Sequence, residues 1–454
     1  MTTDMTQGSP ARLLLRFSLP LLAGNIFQQL YNLVDTVVVG RFVGAASLAA
    51  VGTTGTIMFF MYALLFGMGT GAGIVLAQYF GAKSWKQMQR AISALLYLTL
   101  ALTAVITLVG IAGAPLILRL LQVPEAIRGE AALYMRICFS GTVCMAAYNA
   151  SSTVLRSVGD SRTPFYSIVL SSLTNVACNL LFVLVFKMGT AGVAYGTVVS
   201  QLLAALLCIG VVIHNRGELH LDGMSWRFDA GMARTIARTG IPSAVQSALI
   251  ALGGMTVQGL VNSFGTVTMA AYTAAQRIDS IAIQVVVAIA TSMSVFTGQN
   301  IGRGDLARIK LGLRTTLIME ITSCVVIALA VLTCGHWMLA LFLDSRAAAD
   351  SIVIGRQYLT VIGIAYVIAG VMQSYQHLIR GAGDVNVSLF AGIAEVAGRV
   401  LFANLFVRWW GTWGIWIATP CSWACGCMIP VVRYYSGRWL KHVTCGEAVV
   451  VSRK

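Results

Sequence analysis

Four polar side chains share one helical face in the first long apolar stretch of the chain, at Asn25, Gln28, Asn32 and Asp35. Their spacings of three, four and three positions are those of a single stripe on a helix. A polar stripe on a helix that crosses a membrane cannot face lipid, so we expect it to face other helices or a water-filled cavity. Hydrogen bonding between helices would account for the amides. The ionisable Asp35 needs a further role, since a charge at mid-membrane costs about 2.5–3.5 kcal/mol.

The chemistry open to Asp35 is ion coupling. Poor solvation disfavours an ionised carboxylate, so the group can take up and release a proton, or it can bind a small cation if neutral oxygens complete the shell. Candidate oxygens are Asn175 and Asn179, four positions apart in the fifth apolar stretch, and Thr197 in the sixth. Hard cations prefer such oxygen ligands. The four residues form a candidate Na⁺ site, with helix–helix hydrogen bonding as the alternative for the two asparagines.

A second group of polar residues lies in the later apolar stretches. Arg277 and Asp279 are two positions apart and cannot pair on a helix, whereas Glu395 and Arg399 are four apart and can form an internal salt bridge. Glu320 has no evident partner in the sequence. The flexible thioethers of methionine suit a surface that accepts apolar ligands of different shapes, with ordinary core packing as the alternative. We assign a substrate cavity to the following residues: Asn25, Gln28, Asn32, Met58, Met255, Gln276, Arg277, Asp279, Glu395 and Arg399.

The composition indicates the environment of these residues. Of the 454 residues, 57% are hydrophobic and only 10% are charged, and the mean hydropathy is +0.81. Soluble proteins carry about 25% charged residues, and a soluble chain of this length needs a more polar surface to stay dispersed. The excess of 31 Lys and Arg over 16 Asp and Glu is explained by the cationic cytoplasmic loops of a membrane protein, so we expect no nucleic-acid partner.

Twelve stretches of about 20 apolar residues recur along the chain, each long enough to cross a bilayer. They lack the ten-residue alternation of membrane strands. We therefore predict an all-α polytopic membrane protein with twelve transmembrane helices, of which the second and eighth are long enough to tilt or to extend beyond the bilayer. The predicted spans are 14–39, 46–80, 91–113, 131–155, 164–186, 190–213, 235–262, 268–301, 312–335, 355–379, 387–408 and 411–434.

Lysines and arginines cluster in the amino terminus, the even-numbered loops and the carboxyl tail, for example Arg12, Lys83, Arg156, Arg308 and Arg433. Cytoplasmic loops of membrane proteins carry such an excess of cations. We therefore expect a multi-pass protein of the cell (plasma) membrane with both termini in the cytoplasm.

The second half of the chain repeats the first at a nearly constant offset. The segment LRSVGDSRTP beginning at Leu155 matches IRGAGDVNVS beginning at Ile379, and AQYFGAKS from Ala77 matches GQNIGRGD from Gly298. Each half holds six spans, an even number, so both halves enter the membrane from the same side. This is the parallel-repeat plan of many secondary transporters.

The repeat predicts two six-helix lobes around a central cavity. We expect an amino-terminal lobe over 1–213, a cytoplasmic connector over 214–234, and a carboxyl-terminal lobe with a cytoplasmic tail over 235–454. At the offset of the repeat, Asp35 corresponds to Thr256 or Val257, neither of which is acidic. Ion coupling is therefore expected in the amino-terminal lobe.

Several fragments in combination resemble the multidrug and toxic compound extrusion (MATE) family, and specifically its prokaryotic branch with an aspartate in the amino-terminal lobe. The resemblance covers nearly the whole chain and both repeats. It implies twelve helices in two lobes and the export of cationic or amphipathic organic compounds in exchange for H⁺ or Na⁺ by alternating access. The fragments are LVDTVVVGRFVGAASLAAVG ending at Gly52, QYFGAKS, LRSVGD, AAYTAAQRIDS and GQNIGRGD.

The resemblance also assigns roles to individual residues. Asp35 matches the coupling aspartate on the first helix of that branch, Asn175 and Asn179 match its polar fifth-helix positions, and Thr197 matches its sixth-helix threonine. The position of Asn179 is commonly aspartate in relatives. With one carboxylate fewer, sodium binding is weakened and proton coupling gains weight.

Other functions remain as alternatives. A flippase for a lipid-linked precursor shares the same wider fold, but it usually needs a strongly cationic cavity, and only Arg277 and Arg399 lie near the middle of a predicted span. A membrane enzyme needs convergent catalytic groups, and a channel needs a filter loop; we find neither pattern. We expect no enzymatic activity, no cofactor beyond the coupling ion, small organic cations or amphipathic drugs as substrates, the lipid bilayer as surroundings, and a monomer.

Overall fold

The computed structural model of the protein describes residues 2–343 and 349–442. The predicted cytoplasmic tail from residue 443 onward, and Arg346 in the loop before the tenth span, lie outside the described residues. Over the described ranges the chain is helical and contains no strand. The α-helices are α1 Pro10–Val38, α2 Ala45–Gly81, α3 Trp85–Leu120, α4 Glu125–Ser140, α5 Thr142–Ser157, α6 Arg162–Leu180, α7 Gly189–His214, α8 Ala230–Asn262, α9 Thr266–Arg303, α10 Leu306–Ala340, α11 Ala349–Gly381, α12 Val385–Trp410 and α13 Thr412–Tyr435.

The predicted all-α membrane fold is confirmed. Ten of the described helices are long and apolar enough to cross a membrane, and the bent pair α4 and α5 adds an eleventh. Helix α1, on which the first predicted span falls, is not among them, because Asn25, Gln28 and Asn32 lower its hydropathy. Its 29 residues extend over about 43 Å, which exceeds the ~30 Å hydrocarbon core of a bilayer. All twelve predicted spans therefore fall on helices.

The fourth predicted span is not one straight helix. Helices α4 and α5 meet at Gly141 with a bend of 44°. The side chain of Val198 on α7 occupies the place where a Cβ on Gly141 would lie. The close approach of α7 is possible because glycine has no side chain. An apolar pattern does not reveal such a bend, since both helices are apolar.

Two of the spans end in a π-helical turn. The turn Val39–Val43 follows α1, and the turn Leu181–Val185 follows α6. The first begins one helical turn after Asp35, and the second begins just after Asn179. Such turns are rare in proteins and occur frequently at functional sites.

The chain divides into two compact units. The amino-terminal unit comprises residues 2–4 and Ala23–Ala244, and so includes the connector 214–234. Leu76 of α2 and Leu219 of the connector belong to the same buried apolar cluster. The connector is therefore packed against the helices of its unit.

The carboxyl-terminal unit comprises Met5–Leu22 and the described residues from Val245 onward. Three aromatic side chains from three helices meet in its core. The rings of Tyr272 and Trp416 stack at 5.5 Å, and the ring of Tyr358 meets Trp416 edge-on at 5.2 Å. These rings hold α9, α11 and α13 together.

Helices α1 and α8 each contribute to both units. Helix α1 is divided after Leu22, and helix α8 is divided after Ala244. The separation of these two positions lies between the offsets of the matched segments that begin at Ala77 and at Leu155. The first helix of each repeat, α1 or α8, is therefore divided between the two units at a corresponding position.

Backbone geometry agrees with the internal repeat. Gly44 and Gly265 are related by the repeat offset, and they precede α2 and α9 with φ of +126° and +89°. Gly159 and Gly383 occupy the same place in the matched LRSVGD and IRGAGD segments, with φ of +86° and +97°. Residues with a side chain rarely adopt these values. The matched segments therefore form the same turns.

Candidate functional site

Asp35 lies near the end of α1 and accepts a hydrogen bond from the side-chain amide of Asn179 on α6. The same amide nitrogen donates to Asn175 Oδ1 at 2.8 Å. Asn175 and Asn179 have 0% and 1% of their surface exposed, and Asp35 is partly buried. Tertiary packing thus brings together three of the four residues predicted from the sequence.

Thr197, the fourth predicted residue, lies on α7 and donates its hydroxyl to the Val193 carbonyl at 3.1 Å. Tyr31, one helical turn before Asp35, lies beside both Thr197 and Asp35. Tyr31 was not among the predicted residues, although its spacing of four from Asp35 places it on the same helical face. Thr197 therefore joins the site through Tyr31.

The buried neighbours of Asp35 include a tyrosine and a cysteine of α4. Tyr134 and Cys138 on α4, which are 7% and 4% exposed, lie near Asp35. In the part of the chain that the structure describes, no Lys, Arg or His pairs with the Asp35 carboxylate. The carboxylate depends on a neutral amide for its stabilisation.

A glycine makes the position of the Asn179 amide possible. Gly196 on α7 lies directly against the Asn179 side chain, so a Cβ at this position would overlap Asn179 Oδ1. Asn179 Oδ1 and Asn175 Nδ2 have no hydrogen-bond partner among the described residues. Buried polar atoms without partners cost free energy, and they are expected where a group must rearrange or bind.

In this structure Asp35 is a hydrogen-bonded carboxylate. A cation bound to Asp35 needs oxygen atoms around it, but the atom that Asn179 presents to Asp35 and Asn175 is a nitrogen donor. A hydrogen bond from a neutral N–H to an ionised carboxylate is stronger than one between neutral groups. Within the described ranges, no three His, Cys, Asp or Glu side chains cluster as metal ligands would.

The other residues predicted on α1, α2 and α8 are placed differently. Gln28 and Asn32 are exposed on the surface of α1, whereas Asn25 is partly buried. Met58 is partly buried and packs against two apolar clusters, and Met255 is 55% exposed. Along the stripe on α1, the two middle amides are exposed, whereas Asn25 and Asp35 at its ends are partly buried.

Asp279 is the centre of a second polar group, within the carboxyl-terminal unit. Its carboxylate accepts hydrogen bonds from the hydroxyls of Tyr366 at 2.5 Å and Tyr358 at 3.1 Å, both on α11. Gln276 donates to a third tyrosine hydroxyl on its own helix at 2.7 Å, and Arg277 is exposed. The two phenols were not predicted, because only tertiary packing brings α11 against α9.

Glu395 and Arg399 form the ion pair that their spacing allows, with Nη2 and Oε1 2.6 Å apart. Only 7% and 14% of the two side chains are exposed. Glu320 on α10 is fully buried, and neither of its carboxylate oxygens has a partner in the described chain. A Cβ on Gly370 of α11 would lie 3.2 Å from the Cβ of Glu320. Glu395 is thus neutralised by a partner, whereas Glu320 is not.

The helical part of the chain consists of two repeated halves, and each half contains carboxylates within its membrane helices. This combination is typical of a polytopic membrane transporter. A family model described as MatE matches residues 20–181 and 242–404. The starts of the two matches are related by the repeat offset, so the matches cover both repeats. The chain belongs to the MatE family of membrane transporters.

Named relatives and solved structures agree with this placement. The chain is 32% identical over 439 residues to the probable multidrug resistance protein YpnP of Bacillus subtilis (strain 168), covering 96% of this chain and 97% of the relative. It is 28% identical to the probable multidrug resistance protein YoeA of the same organism, over 97% of this chain and 96% of that one. A structure described as an outward-facing multidrug resistance MATE family transporter of the MOP superfamily has a TM-score of 0.88 at 21% identity, covering 97% of this chain and 100% of the other.

Proposed function

We propose that this protein is a secondary multidrug exporter that moves cationic or amphipathic organic compounds out of the cell by alternating access, in exchange for a coupling ion. We place it in the plasma membrane with both termini in the cytoplasm, as the distribution of its cations favours. The names of its relatives support multidrug export. The amino-terminal carboxylate supplies the means of coupling.

The observation that carries the coupling role is the contact between Asp35 and Asn179. A carboxylate within a membrane helix is costly and is retained for function. Asp35 has one amide donor and, among the described residues, no cation beside it, so its charge is held weakly enough to change during transport. Protonation of Asp35 would weaken the hydrogen bond from Asn179 and release the amide to rotate.

We favour H⁺ over Na⁺ as the coupling ion. Asn179 directs a nitrogen toward Asp35, and Na⁺ binding would require this amide to turn its oxygen inward. A proton needs no such shell of oxygens. The candidate Na⁺ site at Asp35, Asn175, Asn179 and Thr197 has a single carboxylate, which also favours the proton.

Efflux from cells tests the role of Asp35. In cells expressing the Asp35→Asn variant, we expect gradient-dependent export of ethidium to be lost, because the amide cannot carry a proton. Glu125→Gln is the matched control, since it removes a carboxylate whose side chain is 89% exposed at the start of α4, and it should export normally. Undiminished export by Asp35→Asn, at equal expression, would remove Asp35 from the mechanism.

Proteoliposomes distinguish the two coupling ions. A pH gradient and a sodium gradient are imposed separately on the purified full-length protein, and ethidium movement is followed by fluorescence. We expect movement with the pH gradient at zero sodium. Movement that requires sodium, and that a pH gradient alone does not drive, would contradict proton coupling and leave multidrug export intact.

The flippase alternative loses support from the structure. A lipid-linked precursor is anionic and needs several unpaired cations along its path. Of the two arginines near the middle of predicted spans, Arg399 is paired with Glu395, which leaves Arg277. The organic-cation exporter is therefore the better proposal.

A further inference from the structure

The connector 214–234 is fastened along α3 by a regular set of hydrogen bonds. Three α3 side chains, spaced four positions apart on one face, donate to backbone carbonyls of the connector. The bonds run from Gln89 Nε2 to His220 O at 2.5 Å, from Ser93 Oγ to Ser225 O at 3.1 Å, and from Tyr97 OH to Trp226 O at 2.8 Å. The connector thus forms a fixed edge beside α3.

A groove lies beneath this edge, within the amino-terminal unit. A cavity of 510 Å³ is enclosed by α3, α5, α7 and the connector. A second cavity of 260 Å³ continues along α3 and α5. Leu96, Ala147, Ala150 and Trp226 line both, so the two form one continuous groove. Its volume lies in the range of sites for small ligands.

The groove is long, its lining is mostly apolar, and it is charged at one end. Ile92 and Thr103 line its two ends on α3, and three helical turns between them correspond to about 16 Å at about 1.5 Å per residue. Its walls are aliphatic along most of this length. Among the described residues that line it, only Arg216 and Asp222 are charged, and both border the wider cavity next to the connector.

Three exposed aromatic side chains lie beside the groove. Trp226, Phe228 and Tyr97 are 63%, 55% and 42% exposed. The rings of Tyr97 and Phe228 meet edge-on at 5.6 Å. Exposed Trp and Tyr are typical of the interface between hydrocarbon and headgroups. We therefore expect the aliphatic part of the groove to lie at the depth of lipid chains and its charged end at the depth of headgroups.

We propose that this groove binds a zwitterionic, amine-bearing phospholipid, with one acyl chain between α3 and α5. Arg216 and Asp222 stand 3.4 Å apart, with 69% and 66% of their side chains exposed. The guanidinium complements the lipid phosphate and the carboxylate complements the lipid ammonium. An anionic headgroup would meet the repulsion of Asp222. This site is separate from the Asp35 site and from the transport path proposed for substrates.

Photo-crosslinking tests this site. The full-length protein is reconstituted with phosphatidylethanolamine that carries a diazirine in its acyl chain, illuminated, and digested for mass spectrometry. We expect labelling concentrated on peptides containing residues 92–103 and 143–154. Ala147→Trp fills the groove and should lower this labelling at least fivefold. Leu173→Trp, on the exposed surface of α6, should leave it unchanged.

Two variants at the exposed end test the headgroup. Arg216→Ala and Asp222→Asn should each lower labelling of the groove by phosphatidylethanolamine severalfold, and Asp222→Asn should raise labelling by the matching phosphatidylglycerol probe. These positions are exposed, so folding does not depend on them. Equal labelling of the groove and the rest of the helix surface, a preference of the unaltered protein for phosphatidylglycerol, or displacement of the lipid by ethidium would each overturn the proposal.

Discussion

The buried ion pair of Glu395 and Arg399 permits a quantitative test of the structure. Removing one member leaves the other charge buried without a partner. With 7% and 14% of the side chains exposed and a separation of 2.6 Å, this is the situation in which single substitutions cost about 3–5 kcal/mol. We therefore expect Glu395→Met and Arg399→Met each to lower the free energy of unfolding by about that amount.

The double variant gives the sharper expectation. Replacing both charges by methionine leaves no buried charge, and such exchanges are often neutral or stabilising. The Glu395→Met/Arg399→Met protein should therefore unfold within about 1 kcal/mol of the unaltered protein, or above it. The coupling energy between the two positions would then be several kcal/mol, far outside additive behaviour.

Thermal and denaturant unfolding of the purified protein in detergent, followed by tryptophan fluorescence, measures these changes. The exposed pair of Arg216 and Asp222, 3.4 Å apart with 69% and 66% of the side chains exposed, is the matched control. Its single variants should cost at most about 1 kcal/mol. Single variants at Glu395 and Arg399 that cost no more than this control, or a double variant whose loss equals the sum of the singles, would refute the reasoning.

Two further substitutions test the two carboxylate sites. Gly196→Ala places a Cβ against Asn179 and should push its amide away from Asp35. Gradient-driven ethidium export should therefore fall at least tenfold, while the folded protein still elutes as a single species in size-exclusion chromatography. Normal export would show that the Asn179 contact is dispensable. Tyr366→Phe removes the 2.5 Å hydrogen bond to Asp279 and should lower the free energy of unfolding by about 1.5–3 kcal/mol, measured by denaturant unfolding. Tyr166→Phe, at a ring that is 64% exposed, should change it by less than about 0.5 kcal/mol, and equal effects of the two would contradict the assignment.

The membrane helices and the repeat were predictable because both are local properties of the sequence. Apolar stretches of sufficient length recur wherever a helix crosses lipid, and the matched segments around Gly159 and Gly383 predict the same turn twice. The stripe ending at Asp35 was predictable for the same reason, since side chains three and four positions apart share a helical face.

Other features depended on contacts between distant segments. The bend between α4 and α5 lies at Gly141, where the side chain of Val198 on another helix occupies the place of a Cβ. The hydrogen bonds from Tyr358 and Tyr366 to Asp279 join helices that are far apart in sequence. Neither leaves a periodic signal. The attachment of the connector to α3 was likewise hidden, because its acceptors are backbone carbonyls, which every residue possesses.

Sequence alone determined that this chain lies in a membrane, that its helices come in two matched sets, and that Asp35 occupies a polar face. It did so because transfer into lipid and helical periodicity act on neighbouring residues. Tertiary structure decided which groups meet. It placed the Asn179 nitrogen, rather than an oxygen, against Asp35, and it gave Glu395 a partner while leaving Glu320 without one among the described residues. These outcomes follow from the packing of helices distant in the chain, which the spacing of residues along one helix cannot specify.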